Sequence, residues 1–313
     1  MARIGNDYID VDLAYILGLI YGHGKIIDRG DSLRISIEFS FKKKELEEVQ
    51  EIRDIRNAIE ISISKIRERI RETLGCEVRV LFEENSAKII LIFLSRNISY
   101  RIIREFTQWK SSYKNFIIPD YFFDSPTDIL REFMIGISDN TGYIRSSNYD
   151  QVGRHRVYIQ INNSNWYLPV QLCFILQRKL DIPVQLIQWG HPNTREPNKI
   201  DVNSDYTNWA REHQIKIHAE EFLKIGFNFQ YKQKLVENLA NENIKNFPCK
   251  YKNCNPLIKR PRYKKPKHPC ENSDKLPSKI KGKHFNGYFE ICLALGCNQG
   301  EKIEGEIEEV EEH

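Results

Sequence analysis

Two stretches of this chain repeat each other, and a duplication at domain spacing restricts the possible folds more than any other feature of the sequence. Residues 13–26 read Leu-Ala-Tyr-Ile-Leu-Gly-Leu-Ile-Tyr-Gly-His-Gly-Lys-Ile, and residues 129–144 read Ile-Leu-Arg-Glu-Phe-Met-Ile-Gly-Ile-Ser-Asp-Asn-Thr-Gly-Tyr-Ile. Laying Gly18 on Gly136 brings Gly24 onto Gly142 and the apolar positions into register. Each copy is an apolar helix running into a glycine turn. With 313 residues the chain has room for two domains of ordinary size, roughly 100–150 residues each, so the spacing implies two related units in succession.

The residues after each copy support that division. In the first, Asp10 or Asp12 caps the helix, and residues 25–28 and 33–41 flank Arg29-Gly30-Asp31 as a hairpin. Leu33, Ile35, Ile37 and Phe39 alternate with Arg34, Ser36, Glu38 and Ser40, which gives the second strand one apolar and one polar face. Residues 42–74 carry isoleucines at helical spacing and stop at Gly75; strands at 77–82 and 88–94 and a helix at 98–109 come next. Residues 111–126, with two prolines and many aromatics, read as a linker.

The second copy, capped by Thr127 or Asp128, precedes a hairpin of residues 143–147 and 154–161, where Val157, Ile159 and Ile161 alternate with Arg156, Tyr158, Gln160 and Asn162. A helix at 166–180, a second hairpin at 183–189 and 199–202, and a final helix at 213–225 complete the expected plan. The division is then residues 1–115, 116–243 and 244–313.

Hydrophobic residues make up 41% of the chain and aromatic residues 11%, enough for two cores. No apolar run approaches the roughly 18 residues that would cross a bilayer, and Asp7, Asp10 and Asp12 stand where a signal peptide carries cations. The expectation is an intracellular protein, cytoplasmic or in an organellar matrix, without a membrane partner. The net charge of +4 averages an uneven chain: residues 245–283 are strongly basic, and the last residues are rich in glutamate. Such a basic stretch suits an arm that tracks nucleic-acid phosphates.

Seven cysteines make an odd set for a disulfide framework. Cys249 and Cys254 share their spacing with Cys292 and Cys297, and His268, Cys270 and His284 lie between, so four thiolates are candidates for a structural zinc. The Cys292–Cys297 pair reads equally as a small buried helix end. Cys76 and Cys173 read as packing residues. His284-Phe-Asn286 suggests a nuclease of the His-Asn type, although the acidic-histidine pair and the further histidine of that type are not visible.

Taken together, Ile-Leu-Gly-Leu-Ile-Tyr-Gly-His-Gly at 16–24, Met-Ile-Gly-Ile-Ser-Asp-Asn-Thr-Gly at 134–142 and the elements after them resemble the LAGLIDADG family over about residues 10–241. That family includes homing endonucleases, intein endonuclease domains and DNA-binding proteins that have lost cleavage. The resemblance implies an α+β fold, a pseudo-twofold pair of αββαββα units in one monomer. The motif helices would lie side by side, and two four-stranded sheets would form a saddle on double-stranded DNA.

In active members of the family an acid at the eighth motif position of each copy holds divalent metal. Here those positions are His23 and Thr141, while Asp139 occupies the sixth position of the second copy, opposite Tyr21 in the first. Phe41 and Asn163 stand where active members keep polar groups that organise water. The resemblance therefore implies sequence-specific DNA binding without cleavage. Two alternatives stay open: a magnesium-dependent endonuclease with an altered centre, in which His23 is a ligand or base, and a splicing helper that binds structured RNA. The residues expected on DNA are Lys25, Arg34, Ser36, Glu38, Arg79, Arg154, Arg156, Tyr158, Gln160, Asn162 and Gln185.

Overall fold

The computed structural model describes residues 8–28, 32–41, 55–83, 86–94, 97–146, 154–192, 211–246 and 284–285. The proposed zinc ligands Cys249, Cys254, Cys292 and Cys297, and the strand expected at 199–202, lie outside them.

The first unit contains α1 (Val11–His23), β1 (Gly24–Asp28), β2 (Ser32–Ser40), α2 (Ile55–Leu74), β3 (Glu77–Phe82), β4 (Ser86–Leu94) and α3 (Ile98–Phe106). Asp10, rather than Asp12, caps α1 by accepting from the Leu13 amide at 2.8 Å. The strands form an antiparallel sheet in the order β1-β2-β4-β3. Its inner face, including Ile35, Ile37, Ile89 and Leu91, is fully buried, as the period-two alternation requires. Two left-handed residues, Gln108 and Trp109, end α3, and Arg104 holds them by donating to the Trp109 and Lys110 carbonyls at 2.9 and 2.6 Å.

The second unit repeats the plan with α4 (Thr127–Thr141), β5 (Gly142–Arg145), β6 (Arg156–Asn162), α5 (Leu168–Phe174, prolonged as a π-turn over Ile175–Lys179), β7 (Leu186–Pro192), β8 (Arg211–His218), α6 (Ala219–Phe222) and α7 (Gln230–Asn246). Neither Thr127 nor Asp128 caps α4: the helix starts after Pro126, which has no side chain able to accept. Of residues 213–225, expected as a helix, 213–218 are strand and only Ala219–Phe222 are helical. Gln214-Ile-Lys-Ile217 alternates, and Ile215 pairs opposite Ile187 of β7 in the core. The last helix comes later, as α7.

Two further expectations change. The second sheet has five strands, β5-β6-β8-β7-β9, because β9 (His284–Phe285) pairs antiparallel with β7. His284 and Phe285 thus sit in a sheet edge, with His284 opposite Gln188.

The supposed linker at 111–126 is core. Its backbone bonds to β1 through Ile26 N–H to Ser111 (2.8 Å) and Tyr113 N–H to Gly24 (3.0 Å), while Phe116, Ile118 and Phe122 are fully buried. Gln171 accepts from the Ile118 amide at 2.9 Å and donates to its carbonyl at 2.8 Å. Asn165 does similar work on the Phe116 carbonyl at 2.9 Å. A segment bonded to β1 at one end and to Asn165 and Gln171 at the other is a packed seam and not a free linker. Cys76 and Cys173 are free and buried.

Candidate nucleic-acid interface

The two motif helices meet at their glycines. A Cβ built on Gly18 would lie 2.1 Å from the Phe133 carbonyl oxygen, and one on Gly136 would lie 2.1 Å from that of Tyr15. Only hydrogen fits there, so the backbones of α1 and α4 touch across a local twofold axis. Asn140 adds a bond across the junction, donating to the Leu19 carbonyl at 3.0 Å, in the space that Gly22 leaves open. Arg69 of α2 clamps both helices. Its guanidinium bonds Asp12 at 2.7 Å and Glu132 at 2.9 Å and lies 4.2 Å from the centre of the Tyr15 ring. The sequence marked Asp12 only as a capping candidate; its partner is 57 residues away, and no local pattern connects them.

At the sixth motif position the two copies do the same job with opposite chemistry. Tyr21 is buried and donates to the Phe106 and Ile117 carbonyls, both at 2.9 Å. Asp139 is buried and accepts from the Asn228 and Phe229 amides at 2.9 and 3.4 Å and from the Tyr15 hydroxyl at 2.8 Å. Each side chain ties its motif helix to the segment that closes its own unit. Burial pushes the Asp139 carboxyl up to about 6, opposed by Lys232, the Tyr15 hydroxyl and the two amides. Burial and the neighbouring carboxylate raise the Tyr15 hydroxyl. Lys232, which the sequence did not single out, donates to the Asp139 and Gly142 carbonyls at 3.0 and 2.7 Å and so caps the end of α4.

Neither eighth position carries an acid. Thr141 is buried, and its hydroxyl donates to the Ile137 carbonyl at 2.9 Å within its own helix. His23 is half-buried with its ring edge-on to Tyr113 at 4.7 Å. An imidazole, a committed hydroxyl and a carboxylate bonded inside the junction do not make the oxygen-rich set that magnesium requires. Among the described residues no three His, Cys, Asp or Glu side chains cluster as ligands. Phe41 packs toward Phe229, with ring centres 6.2 Å apart.

The outer faces of the two sheets, where the DNA-contacting residues were expected, differ. On the first, cross-strand register sets Ile27, Arg34, Ile92 and Glu77 in one row and Lys25, Ser36, Ile90 and Arg79 in the next, with Glu38, Lys88 and Leu81 beyond. This face is open: Lys25 and Arg79 are exposed, Arg34, Ser36 and Glu38 are half-exposed, and Ile27 and Leu81 expose 46% and 51% of their surface. Ile90 and Ile92 cannot be assigned to this face from sequence, because residues 89–94 are apolar at every position and carry no alternation. Arg79 also pairs with Glu77 at 2.6 Å.

On the second sheet the corresponding residues are closed in. Arg156 and Tyr158 expose only 7% and 6%, and Gln214, in the middle of the face, 1%. Tyr143 stacks on Tyr158 at 4.8 Å, Lys216 lies 5.2 Å over the Tyr158 ring and donates to Gln188 at 2.7 Å, and Gln160 and Gln214 both donate to Glu212. Side chains already bonded to one another and removed from solvent are not presented to a duplex. The sequence places Arg156 and Tyr158 among the residues expected on DNA; in this structure both are buried. Burial also lowers the Arg156 pKa. Gln160 and Asn162 remain half-exposed; Arg154 pairs with Glu220 at 3.3 Å at the strand end; Gln185 sits before β7, its amide donating to the Lys216 carbonyl at 2.9 Å. No described helix is long and apolar enough to cross a membrane.

No protein-family model matches the chain, and no curated protein sequence does. Solved structures similar to it include full-length WhiA from Thermatoga maritima, at 10% identity and a TM-score of 0.42, which covers 82% of this chain. The chain spans 66% of the length of that structure. The N-terminal LAGLIDADG domain of WhiA is similar at 13% identity and a TM-score of 0.37, covering 76% of this chain and 89% of that one. The homing endonuclease I-DmoI, crystallised with DNA and calcium, is similar at 12% identity and a TM-score of 0.38, covering 74% of this chain and 99% of that one.

Proposed function

We propose that this chain binds double-stranded DNA, with sequence preference, on a LAGLIDADG-type scaffold, and that it does not cleave it. The observation that carries the reading is the open outer face of the first sheet. There Lys25, Arg34, Arg79 and Lys88 stand beside Ser36 and Glu38 on a rigid strand surface. Cations supply affinity by neutralising phosphates, while short polar and apolar side chains between them supply contacts to base edges and thymine methyl groups. The state of the motif ends supports the absence of cleavage: Thr141 is bonded into its helix and Asp139 into the junction. The units are taken as residues 1–115 and 116–243, with 244–313 as an extension, in a monomer.

Titrating a pool of randomised duplexes against the protein, and recovering the bound fraction, tests the reading. Enrichment of a site, and loss of affinity in Arg34→Ala together with a shallower salt dependence, are expected; unchanged affinity in Arg34→Ala and Arg79→Ala would overturn it. Supercoiled plasmid incubated with magnesium or manganese should stay uncut, and nicking would favour the endonuclease. A structured RNA that outcompetes duplex DNA at equal concentration would favour the splicing helper.

A further inference from the structure

We propose that the open face of the first sheet reads thymine through its 5-methyl group, and that Ile90 and Ile92 of β4 are the residues that do so. The inference rests on duplex binding by this face, and adds the base recognised and the side chains responsible. In the sheet order β1-β2-β4-β3, β4 is an inner strand. Alternation turns Ile89 and Leu91 into the core, where they are fully buried, and leaves Ile90 and Ile92 half-exposed on the outer face. Ile27 on β1 and Leu81 on β3, 46% and 51% exposed, extend the apolar surface to either side. The matching inner strand of the second sheet, β8, carries Glu212, Gln214, Lys216 and His218 at its outward positions. Isoleucines facing away from the core on an inner strand are therefore no requirement of the fold. An apolar surface held open among charges marks a contact with another molecule.

The placement of the cations fits the major groove. Register sets Lys25, Ser36, Ile90 and Arg79 in one row across the four strands. Three interstrand spacings separate the ends of that row, so the Cα atoms of its two cations stand about 14 Å apart, close to the ~12 Å width of the B-DNA major groove. With a phosphate of each wall on one of those cations, Ser36 and Ile90 lie over the base edges between. Arg79 gives up only an exposed pair with Glu77, a contact of small worth in water. In the major groove the thymine methyl is the apolar group that a base pair presents, and only A·T pairs carry it. An aliphatic side chain gains by burying that methyl, whereas against a G·C pair it strips water from polar atoms and returns no hydrogen bond. A strand laid along the groove advances about 3.4 Å per residue, the rise of one base step, so Ile90 and Ile92 meet positions about two base pairs apart.

The test uses the full chain and a duplex selected by it from a randomised pool. Thymines of that duplex are replaced one at a time by deoxyuridine, which keeps every hydrogen-bonding atom of the base pair and removes only the 5-methyl group. The parent protein should lose roughly fourfold in affinity, the worth of one buried carbon, at each of two thymines about two base pairs apart in one half of the site. Ile90→Ala and Ile92→Ala should each bind the thymine and uracil duplexes equally at one of those positions, with the parent's salt dependence, because no phosphate contact is lost. The substitution in the DNA needs no altered protein, so a variant that fails to fold leaves the proposal testable. A selected duplex bound equally well in its uracil form overturns the proposal and leaves duplex binding standing; failure to retain any duplex overturns both. A selected site without thymine, or variants that keep the full sensitivity to uracil, also overturns it. Self-association of the parent without DNA, lost in Ile90→Ala, would make the face a contact between copies of the chain and would overturn it as well.

Discussion

The two motif helices are related by a local twofold axis, yet their sixth positions satisfy the surrounding backbone from opposite sides. Tyr21 donates its hydroxyl hydrogen bond to two carbonyl oxygens, and Asp139 accepts hydrogen bonds from two amides. The architectural requirement is the same, a buried polar group that ties the helix to the closing segment of its unit, and either sign of hydrogen bond meets it. The two differ in electrostatic consequence. A phenol remains neutral at any physiological pH, whereas a buried carboxyl is a titrating group. The first junction is therefore insensitive to acid and the second is not.

The largest effects should come where the halves are equivalent. Gly18→Ala and Gly136→Ala each force a methyl group onto backbone carbonyl oxygen, and each should cost about 3 kcal/mol or more by overpacking. Urea denaturation would measure it, and a marked inequality would show that the junction is less symmetric than its glycines. Next come the hydroxyls. Tyr21→Phe leaves two buried carbonyls short of a donor and Tyr15→Phe leaves a carboxylate short of one, each a loss of roughly 1–3 kcal/mol. The second loss should vary between pH 5 and 7 and the first should not.

The pH dependence itself can be separated into two buried groups. Asp139, with a folded value near 6 against 3.8 for the free side chain, adds stability that is complete below 3.8 and is lost as pH rises through 6. His213 is buried against Trp166 and Trp189, at 4.3 and 4.9 Å, and burial lowers it from 6.5 to about 4. Its contribution is complete above 6.5 and is lost as pH falls through 4. Between pH 4 and 6 the two slopes oppose. Asp139→Asn should remove one and leave stability rising with pH across that interval; thermal melts that stay flat would contradict the assignment of the compensating slopes to these groups.

The smallest effects should separate the two sheets. Arg34→Ala should weaken duplex binding about tenfold, or roughly 1.4 kcal/mol, and reduce the salt slope by about one counterion. Arg156→Ala, on the closed face, should change it little, as anisotropy titrations would report.

Much of this could be read from the chain. The glycine register, the apolar alternation of β2 and β6 and the order of elements in the first unit depend on neighbours in sequence, and local periodicity records them directly. Residues 213–225 failed because short apolar runs fit helix and strand alike. Residues 111–126 read as a linker because prolines and aromatics suggest a loop, while Phe116 and Ile118 are buried and their backbone groups are satisfied by Asn165 and Gln171, 49 and 53 residues away. Among site residues, Arg34, Ser36 and Glu38 lie on an open face as the alternation implied; Arg156 and Tyr158 obey the same alternation and are closed in. Alternation tells which side of a strand a residue occupies, and it carries no information about what covers that side.

The sequence by itself determined that two equivalent helices exist, that glycine sits at matching points in both, and that neither eighth position is an acid. Only the tertiary structure decided that the glycines meet each other, that Arg69 joins Asp12 to Glu132, that Asp139 serves the junction, and that one sheet is open where its counterpart is not. The physical reason is distance. Capping, periodicity and turn chemistry act over a few residues. Burial, carboxyl titration and access to a partner are set by groups brought together from more than fifty residues away, as Arg69 and Asp12 are.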